Sequence, residues 1–319
     1  MKLFSIPYNG TNPTEYLQEI EKRKQYVGDI FSELPYFPSC QKTGNHFKNM
    51  TYDDFCKNCE DFLYETIDCG IPRYVTLNSP GYYRMFDEHQ LNEAIHKVKE
   101  QIKKFKIQGA MVTNFKISQE LRNEFGEDFK LIISTNSPVY SICSMRKWKL
   151  LGVDTITQPR IMTRNIDYFK KMKNAGFKIR LMLNESCSFF CNNHGICGMI
   201  LGGRGCLDRS HWLQRTYIIP RWLDILDEYV DSYKIMGRLK TTEQIFKVFD
   251  HYIKREDCSL RDILYVKENI YEPFNTSEIP DELLFCKTEN CDKCNICSSI
   301  YEKYPYINNT SNSFITYNE

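Results

Sequence analysis

The chain has little that would mark it as a membrane protein or as a general nucleic-acid binder. Its 319 residues carry 42 Lys and Arg against 41 Asp and Glu, so no excess of positive charge predicts a polyanionic partner, although a local basic patch stays open. No apolar run reaches the length of a membrane span, and no apolar signal-peptide segment follows Met1. We therefore expect a cytoplasmic protein with no membrane partner.

The sequence also lacks common catalytic and nucleotide-binding motifs. It has no Gly-rich dinucleotide loop after its first predicted strand, no P-loop, no H-E-x-x-H and no G-x-S-x-G. The radical-SAM spacing C-x3-C-x2-C is absent as well, because Cys197 follows Cys191 by six residues instead of three. Since no nucleophile and base can be paired, the sequence offers little support for a peptidase.

What the chain does have is cysteine, fourteen residues in all. In a reducing compartment, metal binding explains so many thiols better than disulfides do, although disulfides stay open for a secreted protein. Eight of the cysteines form two groups of four. The first group is Cys187, Cys191, Cys197 and Cys206, and the second is Cys286, Cys291, Cys294 and Cys297.

The order of elements predicts a (β/α)8 barrel. Short apolar, β-branched segments alternate with amphipathic helical patterns, and their even size favours a barrel over an open doubly wound sheet. The predicted strands are 2–8, 29–36, 73–78, 109–114, 130–136, 154–160, 178–185 and 231–237. The predicted helices include 12–27, 87–105, 137–152 and 163–177, with N-caps at Asp87, Ser118 and Thr163.

The alternation stops after residue 258. We therefore predict a barrel over 1–258 and a C-terminal extension over 259–319, which begins with one more helix within 259–275 and folds against the barrel. The second cysteine group lies in this extension.

Polar residues end several predicted strands, and in a barrel they would line the C-terminal rim, where active sites are built. Each of them singly could instead begin a turn. They are Asn78, Asn114, Thr135, Asn136, Gln158, Arg160, Asn184 and Glu185. Glu185 and Asp231 are candidate acid–base groups by location. Arg238 is the preferred anion-binding residue, because phosphate sites recur near strands seven and eight of such barrels.

The first cysteine group follows the seventh predicted strand in a glycine-rich loop. Glycines let a backbone wrap closely around a cluster, and a [4Fe–4S] cluster needs thiolates that converge from several sides. Zinc, with His194 as a nitrogen ligand, is the alternative. The sequence favours iron–sulfur at this loop and leaves zinc open.

The second cysteine group has the spacing C-x4-C-x2-C-x2-C. Its compact C-x2-C-x2-C core is close to the ferredoxin-type run that wraps one [4Fe–4S] cluster, whereas zinc sites usually separate two C-x2-C pairs by a longer loop. We therefore favour iron–sulfur over zinc, with a structural and an electron-transfer role equally open. Cys56 and Cys59 also form a C-x2-C pair, but they lie within a helical pattern, where buried packing cysteines are the simpler interpretation.

One stretch carries a family resemblance. VDSYKIMGRLK, at the start of 230–253, resembles the D-S-x-K-I-x-G-R-x-K signature of the collagenase-like peptidase family (family U-thirty-two). The blocks RYVTLN, GAMVTN and KLIISTN with its continuation to Arg160 resemble that family's successive strands. LNESCSFFCNNHGIC falls where the family carries its first cluster cysteines, so the resemblance covers about residues 70–255.

The resemblance implies a barrel that holds a [4Fe–4S] cluster and supports oxygen-independent hydroxylation of RNA bases or of a quinone precursor. Lys234, Gly237 and Arg238 match the signature, and Cys187 matches the first cluster cysteine. Cys197 or Cys191 matches the second, and Cys206 the third. The chain departs from the family in Asn-Glu-Ser before Cys187, in the extra Cys191, and in lacking a C-x-x-P-C-R run. The fourth ligand is therefore open between this loop, Cys40 and a tail cysteine.

Together these observations predict an iron–sulfur enzyme with one or two [4Fe–4S] clusters. Its catalytic residues would be Glu185, Lys234 and Arg238, its substrate a small molecule, RNA or a peptide, and its reaction hydroxylation or sulfur transfer with a possible electron-donor protein. The alternative is a zinc-binding structural or interaction protein.

Overall fold

The computed structural model describes residues 1–35, 50–78, 86–137, 139–185, 187, 213, 215–238, 240–264, 274–286 and 293–304. Eight parallel strands form a closed barrel in sequence order, with the first strand paired to the eighth. The predicted (β/α)8 barrel is confirmed. The strands are β1 Phe4–Pro7, β2 Val27–Ser32, β3 Arg73–Leu77, β4 Gly109–Val112, β5 Lys130–Ile133, β6 Thr155–Thr157, β7 Lys178–Met182 and β8 Ser232–Lys234.

Helices cover the outside of the barrel and bury their apolar faces against it in one continuous core. They are α1 Pro13–Glu21, α2 Tyr52–Glu65, α3 Glu88–Lys104, α4 Phe115–Phe125, α5 Ile142–Leu150, α6 Ile166–Asn174, α7 Leu223–Leu226, α8 Thr242–Lys254, α9 Leu260–Ile263 and α10 Ile296–Lys303. In the part of the chain described, no helix is long and apolar enough to cross a membrane.

Helix starts follow the capping chemistry of the sequence, but not always at the predicted residue. Asp87 caps α3 as predicted, and its side chain accepts from the Gln90 N–H. Ser118 is not a cap: Asn114 caps α4, and the Ser118 hydroxyl donates to the Asn114 carbonyl at 2.8 Å from within the helix. Thr163 is not a cap either, because the Asn165 side chain accepts from the Tyr168 N–H at the start of α6.

The chain beyond the barrel packs on the same core. Ile279, Leu283, Leu284 and Ile300 are buried in it. Of the helix predicted within 259–275, the structure shows α9, which ends at Ile263 with extended backbone at Leu264; residues 265–273 lie outside the described part. The domain boundary at residue 258 stays a prediction.

The barrel interior is built from layers of inward-facing side chains, contributed by alternate strands. The strand pairings place four inward-facing side chains at one level of the tilted barrel, one each from β2, β4, β6 and β8. In that order they are Phe31, Met111, Thr157 and Lys234. Below this level, towards the N-terminal end, Arg180 pairs with Asp29 at 2.6 Å, and both side chains are buried. The interior is therefore charged as well as apolar.

Candidate active site at the barrel mouth

A buried ion pair lies on one side of the mouth. Arg238 donates to Glu33 Oε1 at 2.8 Å and to the Thr76 hydroxyl at 2.9 Å. Glu33 directly follows β2 and Arg238 follows β8, so the pair joins strands that are not neighbours. A Cβ on Gly237 would lie 3.0 Å from Ile245 Cγ1, so the glycine lets the loop after β8 pass close to α8.

A second polar network lies where β5, β6 and β7 end. Arg160 Nε lies 3.0 Å from Glu185 Oε2, and Arg160 Nη1 donates to Asn136 Oδ1 at 2.7 Å. The Cys187 thiol donates to Glu185 Oε1 at 3.3 Å. The structure thus brings together three residues predicted for the rim, and it places the first cysteine of the first group among them.

The cysteine-rich loop leaves and returns at the end of β7. The Thr216 N–H donates to the Cys187 carbonyl at 2.9 Å, and the Ile218 N–H donates to the Leu183 carbonyl at 2.8 Å. The two ends of the segment 188–215 are therefore held side by side at the mouth. Cys191, Cys197, Cys206 and His194 lie in this segment, outside the described residues.

Arg164, in the loop between β6 and α6, fastens the returning chain. Its guanidinium donates to the carbonyls of Arg215 at 2.7 Å, of Leu213 and Tyr217 at 3.2 Å, and of Leu283 at 3.4 Å. It also lies 4.8 Å from the centre of the Tyr217 ring. One buried side chain therefore links the cysteine loop and the C-terminal extension to the barrel.

Cysteines of the second group lie near this arginine. Cys286 and Cys297 are half-buried against the core, and Cys294 is exposed. Burial lowers the pKa of Arg164, while ionised Cys286 and Cys297 would raise it. Cys291 lies outside the described residues.

The described residues include only some of the predicted metal ligands. Among the residues that the structure describes, no three His, Cys, Asp or Glu side chains gather as a metal site. Cys187 lies at the mouth, and Cys286 and Cys297 lie half-buried against the core. Cys40, also considered as a ligand, lies outside the described ranges. Both four-cysteine sites stay predictions.

Lys234 lies deeper in the barrel than Arg238. Its Nζ donates to Met111 Sδ at 2.9 Å and lies 4.1 Å from the centre of the Phe31 ring. Burial lowers its pKa well below the ordinary lysine value, and the charges of Arg238 and Arg180 lower it further. Burial therefore favours the neutral amine more than it is favoured at an exposed lysine.

Several buried polar atoms in and above this layer find no hydrogen-bond partner among the described residues. They are Asn78 Oδ1, Thr113 Oγ1, Thr135 Oγ1, Thr157 Oγ1 and Arg238 Nε. Buried polar groups in folded proteins are nearly always satisfied, by protein, water or ligand. Their grouping at the C-terminal half of the barrel favours this region as a site for a polar molecule.

One predicted acid–base residue lies at the wrong end of the barrel, and some residues of the site are not among the sequence predictions. Asp231 directly precedes β8 and accepts from the Ile179 N–H at 2.8 Å, so it lies at the N-terminal end of the barrel, opposite the mouth. Glu33, Asp29 and Arg180 are not among the predicted site residues. Each is a charged residue in an otherwise apolar predicted strand, and this is the sequence signal that could have indicated them. Cys56 and Cys59 are buried on α2, as expected of packing cysteines.

Comparison with known proteins gives a fold and no family. No protein-family model matches the chain, and no curated protein matches it. Among solved structures, a U32 peptidase aligns with a TM-score of 0.52 and 12% identity over 74% of this chain and 93% of that one. This likeness shows a barrel fold like that of the U32 peptidase, in agreement with the fold that the sequence resemblance implied.

Other barrels align less well. A chitinase from Aspergillus fumigatus gives a TM-score of 0.47 and 9% identity over 73% of this chain and 90% of its own. A tryptophan synthase from Pyrococcus furiosus gives 0.47 and 11% identity over 79% and 98%. At these values the alignments add no argument about chemistry, which has to come from the site itself.

Proposed function

We propose that this protein is an iron–sulfur enzyme whose active site is the C-terminal mouth of the barrel. Its reaction would be a redox modification, either oxygen-independent hydroxylation or sulfur transfer, on a small molecule, an RNA or a peptide. One observation supports this proposal above the others: Cys187, the first thiol of the cysteine-rich loop, follows β7 at the mouth, with its sulfur 3.3 Å from Glu185 Oε1.

The anchoring of the loop strengthens this argument. Because the Thr216 N–H is bonded to the Cys187 carbonyl, the chain carrying Cys191, Cys197 and Cys206 begins and ends at the mouth. Thiolates from this loop would share the mouth with Glu185, where substrates of (β/α)8 enzymes bind.

The protein's own groups have distinct roles in the proposal. A [4Fe–4S] cluster bound by Cys187 and the loop thiolates would supply an iron site for electron transfer or for binding sulfide. Arg160 holds the Glu185 carboxylate at 3.0 Å, which fixes its orientation beside Cys187. Glu33 holds Arg238 over the opposite side of the mouth. The tail cysteines would bind a second cluster that exchanges electrons with a donor protein or orders the extension.

The test is metal analysis of the full chain purified without oxygen. We expect iron and acid-labile sulfide together with broad absorbance near 400 nm. Cys187→Ser should lower iron by the content of one cluster. Cys143→Ser is the matched control, because Cys143 is an exposed cysteine on α5 outside both groups, and it should leave iron unchanged. Colourless protein with stoichiometric zinc would instead support the zinc-binding alternative and refute the proposal.

A further inference from the structure

Among the described residues, the buried charges inside the barrel are paired, with one exception. Three arginines each face a carboxylate at 3.0 Å or less. The pairs are Arg180 with Asp29, Arg238 with Glu33, and Arg160 with Glu185. Lys234 lies among them, and no carboxylate among the described residues is within ion-pair distance of its Nζ. A protonated Lys234 would therefore lack a carboxylate partner and face only the Met111 sulfur and the Phe31 ring, so burial of its charge is costly.

The immediate surroundings of the amine are soft and apolar. Its Nζ has a thioether sulfur, Met111 Sδ, as its hydrogen-bond acceptor at 2.9 Å, and thioethers accept weakly. The Phe31 ring lies on another side, and the whole residue is 4% exposed. A lysine that is desolvated in this way and surrounded by other cations is a recognised form of activated amine nucleophile.

Burial and three arginines shift the pKa of Lys234 in the same direction. Burial is the main cause of the lowered pKa, and Arg238, Arg180 and Arg160 lower it too, while Asp29 raises it. The lowered pKa raises the fraction of neutral, nucleophilic amine above that of an ordinary lysine, which with a pKa of about 10.4 is neutral in only ~0.04% of molecules at pH 7.

Polar atoms suited to a bound molecule lie at the same level and towards the mouth. Thr157 shares the layer of Lys234, and Thr113 lies two residues beyond Met111, directly after β4 and towards the mouth. The hydroxyls of Thr157 and Thr113 and the Asn78 amide oxygen are buried without a partner among the described residues. A molecule carrying several oxygen atoms would satisfy them.

We propose that Lys234 is a covalent catalytic residue that forms an imine with a small, polar aldehyde or ketone bound inside the barrel. The amine nitrogen attacks the carbonyl carbon, both amine hydrogens pass to the carbonyl oxygen, and this oxygen leaves as water, so the step needs no oxidant or reductant. The Thr157 hydroxyl is placed to hydrogen-bond the substrate in this layer. The proposal goes beyond the iron–sulfur function and does not depend on a metal.

The test is reductive trapping on the full-length protein. Glyoxylate, and formaldehyde as a smaller probe, are added with sodium cyanoborohydride at pH 7, and the modified lysines are quantified by peptide mass spectrometry. We expect Lys234 to be modified at least tenfold faster than the exposed lysines. Lys178→Met is the control, because Lys178 is an exposed lysine at the start of β7, and this change should leave trapping at Lys234 intact.

The decisive readout uses the wild-type chain, so it does not depend on whether a variant folds. Lys234→Met should abolish the fast adduct, and its unfolding transition shows whether the fold is kept. If Lys234 reacts with both probes no faster than exposed lysines do, the proposal is overturned. Because metal content plays no part in this readout, failure here is distinct from failure of the iron–sulfur proposal.

Discussion

Replacing Arg164 with Met tests the link between the cysteine loop and the barrel. The change removes a buried guanidinium that donates to four backbone carbonyls, those of Leu213, Arg215, Tyr217 and Leu283. Hydrogen bonds from a charged donor contribute about 1.5–3 kcal/mol each, and they are not additive. Arg164→Met leaves buried carbonyls without a donor, which costs about 1–3 kcal/mol per unsatisfied group, so we expect the free energy of unfolding to fall by about 3 kcal/mol.

Urea denaturation measures the global effect, and hydrogen exchange measures the local one. The amides of Thr216 and Ile218, bonded to the barrel end of β7, should lose protection first. Arg164→Lys keeps the charge but not the planar fork of donors, so it should fall between wild type and Arg164→Met. Arg146→Met, at an exposed position on α5, should have little effect. A loss below about 1 kcal/mol for Arg164→Met would refute the anchoring role.

Three other changes test the fold. Asp29→Asn leaves Arg180 buried without its carboxylate and should lower stability by about 3–5 kcal/mol in urea denaturation; adding Arg180→Met should restore much of this. Asn114→Ala removes the N-cap of α4 and should lower the free energy of unfolding by about 1 kcal/mol, whereas Ser118→Ala should matter less if the cap assignment is correct. Gly237→Ala crowds α8 and should lower the thermal midpoint by a few degrees, about 1 kcal/mol.

The architecture could be predicted because strand and helix periods alternate over the whole barrel. Seven of the eight predicted strands contain the observed one, whereas β2 begins at Val27, two residues before the predicted range 29–36. Asp87 starts α3 as its capping pattern indicates. Helix starts were less secure, since Asn114 and Ser118 offer equivalent side-chain acceptors four residues apart. Tertiary placement decides between them: Asn114 lies where β4 has ended, and Ser118 is already one turn into the helix.

Residues of the site could be predicted from the sequence only where they lie at or just after the end of a predicted strand. Arg160 and Glu185 end adjacent strands, and the structure pairs them. The Glu33–Arg238 and Asp29–Arg180 pairs join residues that are far apart in sequence, so only the closed barrel reveals them. The location of Asp231 in the sequence makes it an acid–base candidate, but the structure places it before β8, at the N-terminal end of the barrel.

The central claim, that a cluster lies at the mouth beside Glu185, is tested most directly by the reduction potential of the Cys187 cluster in Glu185→Gln. The substitution removes a negative charge beside the Cys187 thiol and leaves Arg160 without this carboxylate. Nearby charge sets cluster potentials, so we predict a shift to a more positive potential, with Cys143→Ser unchanged. A potential equal to that of wild type, or protein that holds no reducible cluster, would contradict the account.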